Sequence, residues 1–160
     1  MKSITIAKQI DAELKLLGVT KQIEVTETKP ITFYIKDKDL LKTCQKLFED
    51  GHHARAVEEA FKLLNNIVKK HAKTDSSIDG SSLMKKVFSA TTPILKINSG
   101  TTKSEQDEQL GYMEIFSGCM TGIRNPRAHE HEWEDTQDRA IQLLILADHL
   151  IEKVKLSVKQ

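Results

Sequence analysis

The sequence is short of the features that most quickly assign a function. Its 160 residues include two cysteines, Cys44 and Cys119, each in a stretch of helical appearance. Two thiols without ligand-like spacing and with no secretory pattern before them argue against a disulfide framework, and reduced thiols in a cytoplasm are expected. Surplus charge is also missing, because 24 Lys and Arg stand against 23 Asp and Glu. Without a bulk cationic field, any polyanion must be held by a local arrangement of side chains. Long apolar runs are absent too. The longest, Leu143 to Ala147, falls far short of the roughly 20 residues that span a bilayer, so no membrane role is expected. There is no internal repeat and no low-complexity block.

What is present suits a folded domain. Apolar residues make up 39% and charged residues 29%, too apolar and too evenly charged for a disordered chain. The length favours one domain with a short appendage. Residues 1–36 read as that appendage, an arm with helical spacing at Ile4, Ile10, Leu14 and Leu17 ended by Gly18. A Thr-rich stretch follows, and then Ile31 to Ile35, whose β-branched and aromatic content predicts a short strand.

Residues 37–160 read as a helical body. Leu40, Leu41, Cys44, Leu47 and Phe48 follow a helical period that Gly51 interrupts. Ala54, Val57, Ala60, Phe61, Leu64, Ile67 and Val68 form a stronger stripe, with Glu58, Lys62, Asn65 and Lys69 on a face expected to be wet. After the Gly80-Ser81-Ser82 break a short helix is expected near Leu83 to Phe88, and an extended piece at Ile94 to Ile97 beyond Pro93. Ser104 and Asp107 resemble a capping box for a helix burying Leu110, Met113, Phe116, Met120 and Ile123. That helix is expected to finish near Arg124, because Pro126 lacks an N–H and disfavours the α conformation at Asn125. Thr136 caps a last helix with Ala140, Leu143, Leu144, Ala147, Leu150, Ile151 and Val154 on its apolar stripe. Helices that cannot hide their apolar faces alone predict an all-α, antiparallel bundle.

The densest chemistry lies between the last two long helices, in Ile123-Arg124-Asn125-Pro126-Arg127-Ala128-His129-Glu130-His131-Glu132-Trp133-Glu134-Asp135. Histidine carries a proton near neutral pH, and a guanidinium offers a planar fork of donors to phosphate oxygens. Phosphoryl transfer is the chemistry such a pairing suits. The same residues have an ordinary reading, since a cation, an Asn and a Pro together end a helix well.

Arg124, Asn125 and His129, at the end of a helix in an all-helical domain, resemble the Rx4-6H motif of HEPN domains. The longer string from Gly111-Tyr112 through Phe116-Ser117-Gly118 to Glu130 is similar to the Ymh-like family of prokaryotic proteins within that superfamily. Leu47 to His52 and Ala56 to Phe61 add to the likeness, which covers roughly residues 38–155. The resemblance implies a HEPN-type bundle and metal-independent cleavage of RNA in a defence, abortive-infection or toxin-antitoxin setting. It implies an active homodimer with two motifs facing one cleft, and a possible antitoxin partner. His129 would be the general acid/base, Arg124 the stabiliser of phosphoryl charge, and Asn125 a positioning or phosphate-binding group. The alternative is a non-catalytic module of the same fold that binds nucleic acid, nucleotide or a protein.

Four further residues are secondary candidates, Arg127 and His131 from the motif and the pair Glu58 and Lys62. The last two are four apart, a spacing that ordinarily means an exposed ion pair worth about 0.3–0.5 kcal/mol. His129 and His131 flank Glu130, and with His52 and His53 they raise the question of zinc. No His-Glu-x-x-His pattern occurs, and neither a metal nor another cofactor is expected. Trp133 and Tyr112 are residues that either stack on bases or pack. Glycines 118 and 122 inside a helix suggest close approach of another helix, from the same chain or from a partner.

Overall fold

A computed structural model describes residues 9–10, 12–13, 29–74 and 77–160. The chain divides into two units, Met1–Pro30 and Ile31–Gln160. In the first, Gln9, Ile10, Ala12 and Glu13 are helical; the remainder of the reading of residues 1–28 lies outside the described residues. The second unit is an all-α bundle with a minor two-stranded sheet.

Its entry is a single 3-10 turn, Ile31–Phe33, and not the strand that β-branched composition predicts. The amides of Tyr34 and Ile35 both donate to the carbonyl of Ile31, at 3.0 and 3.2 Å. This coiling buries Ile31 and Ile35, four residues apart, on one side, and tertiary burial overrides the propensity. Helix α1, Lys38–Glu49, begins where the Asp37 carboxylate accepts from the amides of Asp39 and Leu40. Asp148 in turn accepts from the amide of Asp37 at 2.9 Å. Gly51, at φ +84°, makes the left-handed turn into helix α2, His53–Ala72.

Helix α2 is the centre of the bundle. It packs on α1 along one flank and, along another, on the last helix, Gln137–Leu156. Ala56, Ala60, Phe61, Leu64 and Val68 are completely buried. So are Ala140, Leu144, Ala147, Leu150, Ile151 and Val154 of the last helix, which Thr136 caps by accepting from the amide of Arg139. Both stripes match the helical period of the sequence.

Helix α3, Gly80–Val87, lies against α4, Lys103–Cys119, where the rings of Phe88 and Phe116 stack at 4.2 Å. Strand β1, Leu95–Lys96, pairs antiparallel with β2, Val158–Lys159. The loop beside it is fastened by the buried amide of Gln109, which donates to the carbonyls of Phe88 and Leu95 and accepts from the amide of Ile97 at 3.0 Å. A buried side-chain amide is tolerable because its hydrogen-bonding capacity is used.

Two expectations about α4 need correction. The capping box is formed by Thr102 and Glu105, two residues before Ser104 and Asp107. The amide of Thr102 and neighbouring hydroxyl groups hold the Glu105 carboxyl down to about 2. More consequentially, the helix does not finish near Arg124. It passes through a π turn, Met120–Arg124, into α5, Asn125–His129, before the chain reaches α6, Gln137–Leu156. The amide of Asn125 donates to the carbonyl of Met120, five residues back. Pro126 thereby falls in the first turn of a new α segment, where an N–H is not required.

Burial raises the thiols of Cys44 and Cys119, to about 12 and about 11, so both are poor nucleophiles at neutral pH. No helix among the described residues is long and apolar enough to cross a membrane. Among the described residues, nothing lies within 4 Å of where a Cβ would sit on glycines 111, 118 and 122, so packing against the described residues does not account for them. In a monomer, Gly118→Ala should therefore stabilise by about 0.5–1 kcal/mol through reduced backbone entropy of the unfolded chain. Thermal unfolding at low protein concentration checks this, and a lower Tm would mean that the site is crowded.

Candidate active site

Three chain segments meet at one open cleft of about 670 Å³. Helix α2 contributes Lys62, Asn65 and Asn66; Asp79 to Ser82 contribute the start of α3; the π turn and α5 contribute Met120, Arg124, Asn125 and His129. The principal sequence candidates, Arg124, Asn125 and His129, are thus brought together with Lys62. Continuity of the helix is what does it. Asn125 and His129 are four apart on α5, so they share a face, and the wide turn before them lets Arg124 line the same cleft.

The Arg124 guanidinium donates to the Asn125 side-chain oxygen at 3.1 Å. No other side-chain hydrogen bond engages it among the described residues. His129 is exposed, and its imidazole makes no hydrogen bond among the described residues. Across the cleft the Asn65 amide bridges the start of α3, donating to Asp79 and accepting from the amide of Gly80, each at 2.9 Å. Lys69, then Asn65, hold the Asp79 carboxyl below its usual range, and Arg124 adds its field. Ser81 and Ser117 share a hydroxyl contact at 2.7 Å. The sequence marked the Gly-Ser-Ser segment only as a break, and its place opposite Arg124 depends on a fold that periodicity does not specify.

Glu58 and Lys62 are not an exposed pair. Glu58 is 4% exposed, and its carboxylate meets Lys62 at 2.7 Å and Arg55 at 2.6 Å. Burial works against ionisation of Glu58, but Lys62 and Arg55 outweigh it and keep the carboxyl below the ordinary range. Glu58 and Glu59 in return raise the Lys62 ammonium against partial desolvation. Lys62 is a tethered cation at the cleft edge, aimed by two carboxylates.

Arg127 has a different place. Its side chain and that of Asp135 are 2% and 0% exposed, joined in a two-pronged ion pair at 2.6 and 2.7 Å. A third donor reaches the Ile123 carbonyl at 2.7 Å, and Trp133 lies against the guanidinium at 5.3 Å. This clasp holds α5 to the loop leading into α6. Asp135, the last residue of the charged string between the two helices, is the internal partner of Arg127. His131 is exposed in a turn and does not line the cleft. His52 and His53 line a separate cleft with Trp133. Tyr112 is committed to packing, bonded to His149 at 2.7 Å with the Lys153 ammonium over its ring. Among the described residues, no group of three or more His, Cys, Asp or Glu is placed to hold a metal ion.

The matched region includes all of these residues. A family model described as "Protein of unknown function (Hypoth_ymh)" matches residues 36–154. The chain belongs to the Hypoth_ymh family. Comparison with the curated proteins and with the solved structures gives no match. The cleft of this Hypoth_ymh protein gathers one imidazole, one guanidinium, one ammonium and three side-chain amides, with the Asp79 carboxylate already engaged by Lys69 and Asn65, around a polar hollow. Such a donor-rich set is fitted to a phosphodiester or another anion.

Asp135→Ala should cost about 3–5 kcal/mol, because it strands the Arg127 charge without water or counter-ion. Urea unfolding followed by circular dichroism measures it. A loss under 1 kcal/mol would show that Arg127 finds solvent, and that the clasp does not hold α5.

Proposed function

We propose that this Hypoth_ymh protein is a metal-independent endoribonuclease of HEPN type. The observation that carries the reading is the convergence of Arg124, Asn125, His129 and Lys62 on one open cleft, together with the resemblance of the Arg124 to His129 string to the HEPN motif. In this mechanism His129 removes the proton of a ribose 2′-hydroxyl and the freed oxygen attacks the adjacent phosphorus. The bond from phosphorus to the 5′-oxygen breaks, and an acid protonates the departing oxygen. Arg124 and Lys62 face the phosphoryl oxygens as charge builds. Asn125 keeps the Arg124 fork directed into the cleft.

One cleft holds one histidine, whereas the reaction needs a base and an acid. Two chains meeting face to face would supply His129 twice. The open backbone at Gly118 and Gly122 and the exposed side chains of Leu110 and Ile115 give α4 a face on which a second copy can sit. A cytoplasmic role in defence, or as the toxin of a toxin-antitoxin pair, is the setting we propose, and it adds a neighbouring antitoxin as a partner.

The single histidine also favours a second reading, a non-catalytic module that binds nucleic acid, nucleotide or protein through the same cations. Purified protein incubated with single-stranded and structured RNA in excess EDTA separates the two. Cleavage leaving 2′,3′-cyclic phosphate and 5′-hydroxyl ends is expected from the wild type. His129→Ala should lower the rate by about 10²–10⁴-fold, and Arg124→Ala by about 10²–10³-fold, with unchanged helical circular dichroism. Intact RNA beside a folded, dimeric wild-type protein would overturn the nuclease reading, and loss of RNA binding in the two variants would then support the module.

A further inference from the structure

A second cleft, of about 380 Å³, opens between the start of α2 and the loop after α5. Its volume falls in the range of about 300–1,000 Å³ usual for small-ligand pockets. It is lined by Trp133, Glu134 and Asp135 on one side and by residues 51–55 on the other, including His52, His53 and Arg55. Most of its charged groups are already engaged. Arg55 is paired with Glu58 and Glu59 at 2.6 and 2.7 Å, Asp135 holds Arg127, and the His53 ring leans on Phe48 at 5.1 Å. What remains for a ligand is the indole of Trp133, 36% exposed, the imidazole of His52 and the carboxylate of Glu134.

This remainder selects a class of ligand. A phosphate would meet Glu134 without a free guanidinium to offset it. A neutral, flat, hydrogen-bonding ring suits the set: it stacks on indole, and a carboxylate accepts from an exocyclic amine. Trp133 is also pre-set, because the buried Arg127 lies against its ring at 5.3 Å and limits the freedom of the side chain.

The two clefts are arranged along one track. Arg55 of the second and Lys62 of the first are seven residues apart on α2, two turns along one face, or about 10 Å. On the other wall, Trp133 follows His129 by four residues. We propose that the Trp133 cleft is a nucleobase subsite, receiving an unpaired base of the strand whose phosphodiester lies at Arg124 and His129. The proposal rests on the ribonucleic-acid reading of the first cleft and gives it a substrate class, single-stranded RNA with a base adjoining the scissile bond splayed outward.

Trp133 is the only tryptophan of the chain, so its emission reports on this cleft alone. A 2′-O-methyl hexanucleotide of mixed sequence, which lacks the attacking hydroxyl, is titrated into wild-type protein and binding is followed in parallel by anisotropy of a labelled strand. Saturable change of tryptophan emission is expected, matching the anisotropy curve. Trp133→Ala should weaken binding roughly 5- to 150-fold, while Trp133→Phe retains most of it, as stacking on a base requires. With cleavable RNA, Trp133→Ala should raise KM far more than it lowers kcat. Anisotropy binding with unchanged emission, or equal affinity of wild type and Trp133→Ala, would overturn the subsite while leaving the nuclease reading intact. Emission change without any cleavage of RNA would do the reverse. Absence of binding in both signals would overturn both.

Discussion

The candidate site depends on a single buried ion pair. Arg127 and Asp135 sit on either side of the turn that separates α5 from α6, and neither side chain reaches water in any appreciable degree. An unpaired guanidinium or carboxylate in that position would be strongly disfavoured, so the turn closes only in the geometry that brings the two together. α5 is five residues long, too short to hold itself in water. Its place is set from outside, by the clasp and by the π turn through which α4 runs into it. His129, at the end of that helix, inherits its position from these two features.

The charge of the whole chain tells little about this region, and its local arrangement tells more. A nearly neutral protein can still present a cationic edge if its anions are turned inward. Glu58 does this for Lys62, and Asp135 for Arg127, in each case as a buried carboxylate behind a basic side chain. The consequences differ with exposure. Lys62 remains at the mouth of the cleft, whereas Arg127 is withdrawn from it. The acidic residues that follow His129 are likewise not one surface, because Asp135 is internal while Glu130, Glu132 and Glu134 are exposed.

Much of the architecture was legible in the sequence because it is written in periodicity. The stripes of α1, α2 and α6, the Gly51 turn and the Thr136 cap are local signals, and local physics produced them. The gaps have equally physical causes. Ile31 and Ile35 are strand-prone residues coiled by burial on a common side, and Ser104 and Asp107 lost to a better-placed Thr102 and Glu105. Pro126 reads as a stop because its ring and missing N–H are incompatible with regular helix, and only a widened turn upstream removes both objections. Arg124, Asn125 and His129 were found as a string, but their meeting with Lys62, Asn65 and Ser82 is a tertiary event. Arg127, equally conspicuous in that string, proved to be internal, which no spacing rule distinguishes. The Trp133 wall has the same origin, an aromatic whose neighbour across the cleft is some eighty residues away in sequence.

The π turn at Met120–Arg124 carries a further consequence, one of phase. An α helix keeps a fixed angular relation between every residue and those before it, about 100° per step. One extra residue in a turn resets that relation. Upstream, the register of α4 is dictated by Phe116 and Met120, which are buried against the core. Downstream, Asn125 and His129 must look into the cleft. Without the insertion the two demands would compete for one rotation about the axis, and core packing, with the larger area at stake, would win. The widened turn works as a clutch between them: the bundle can tighten, or its core residues can drift in size, without rotating the imidazole away from the cleft.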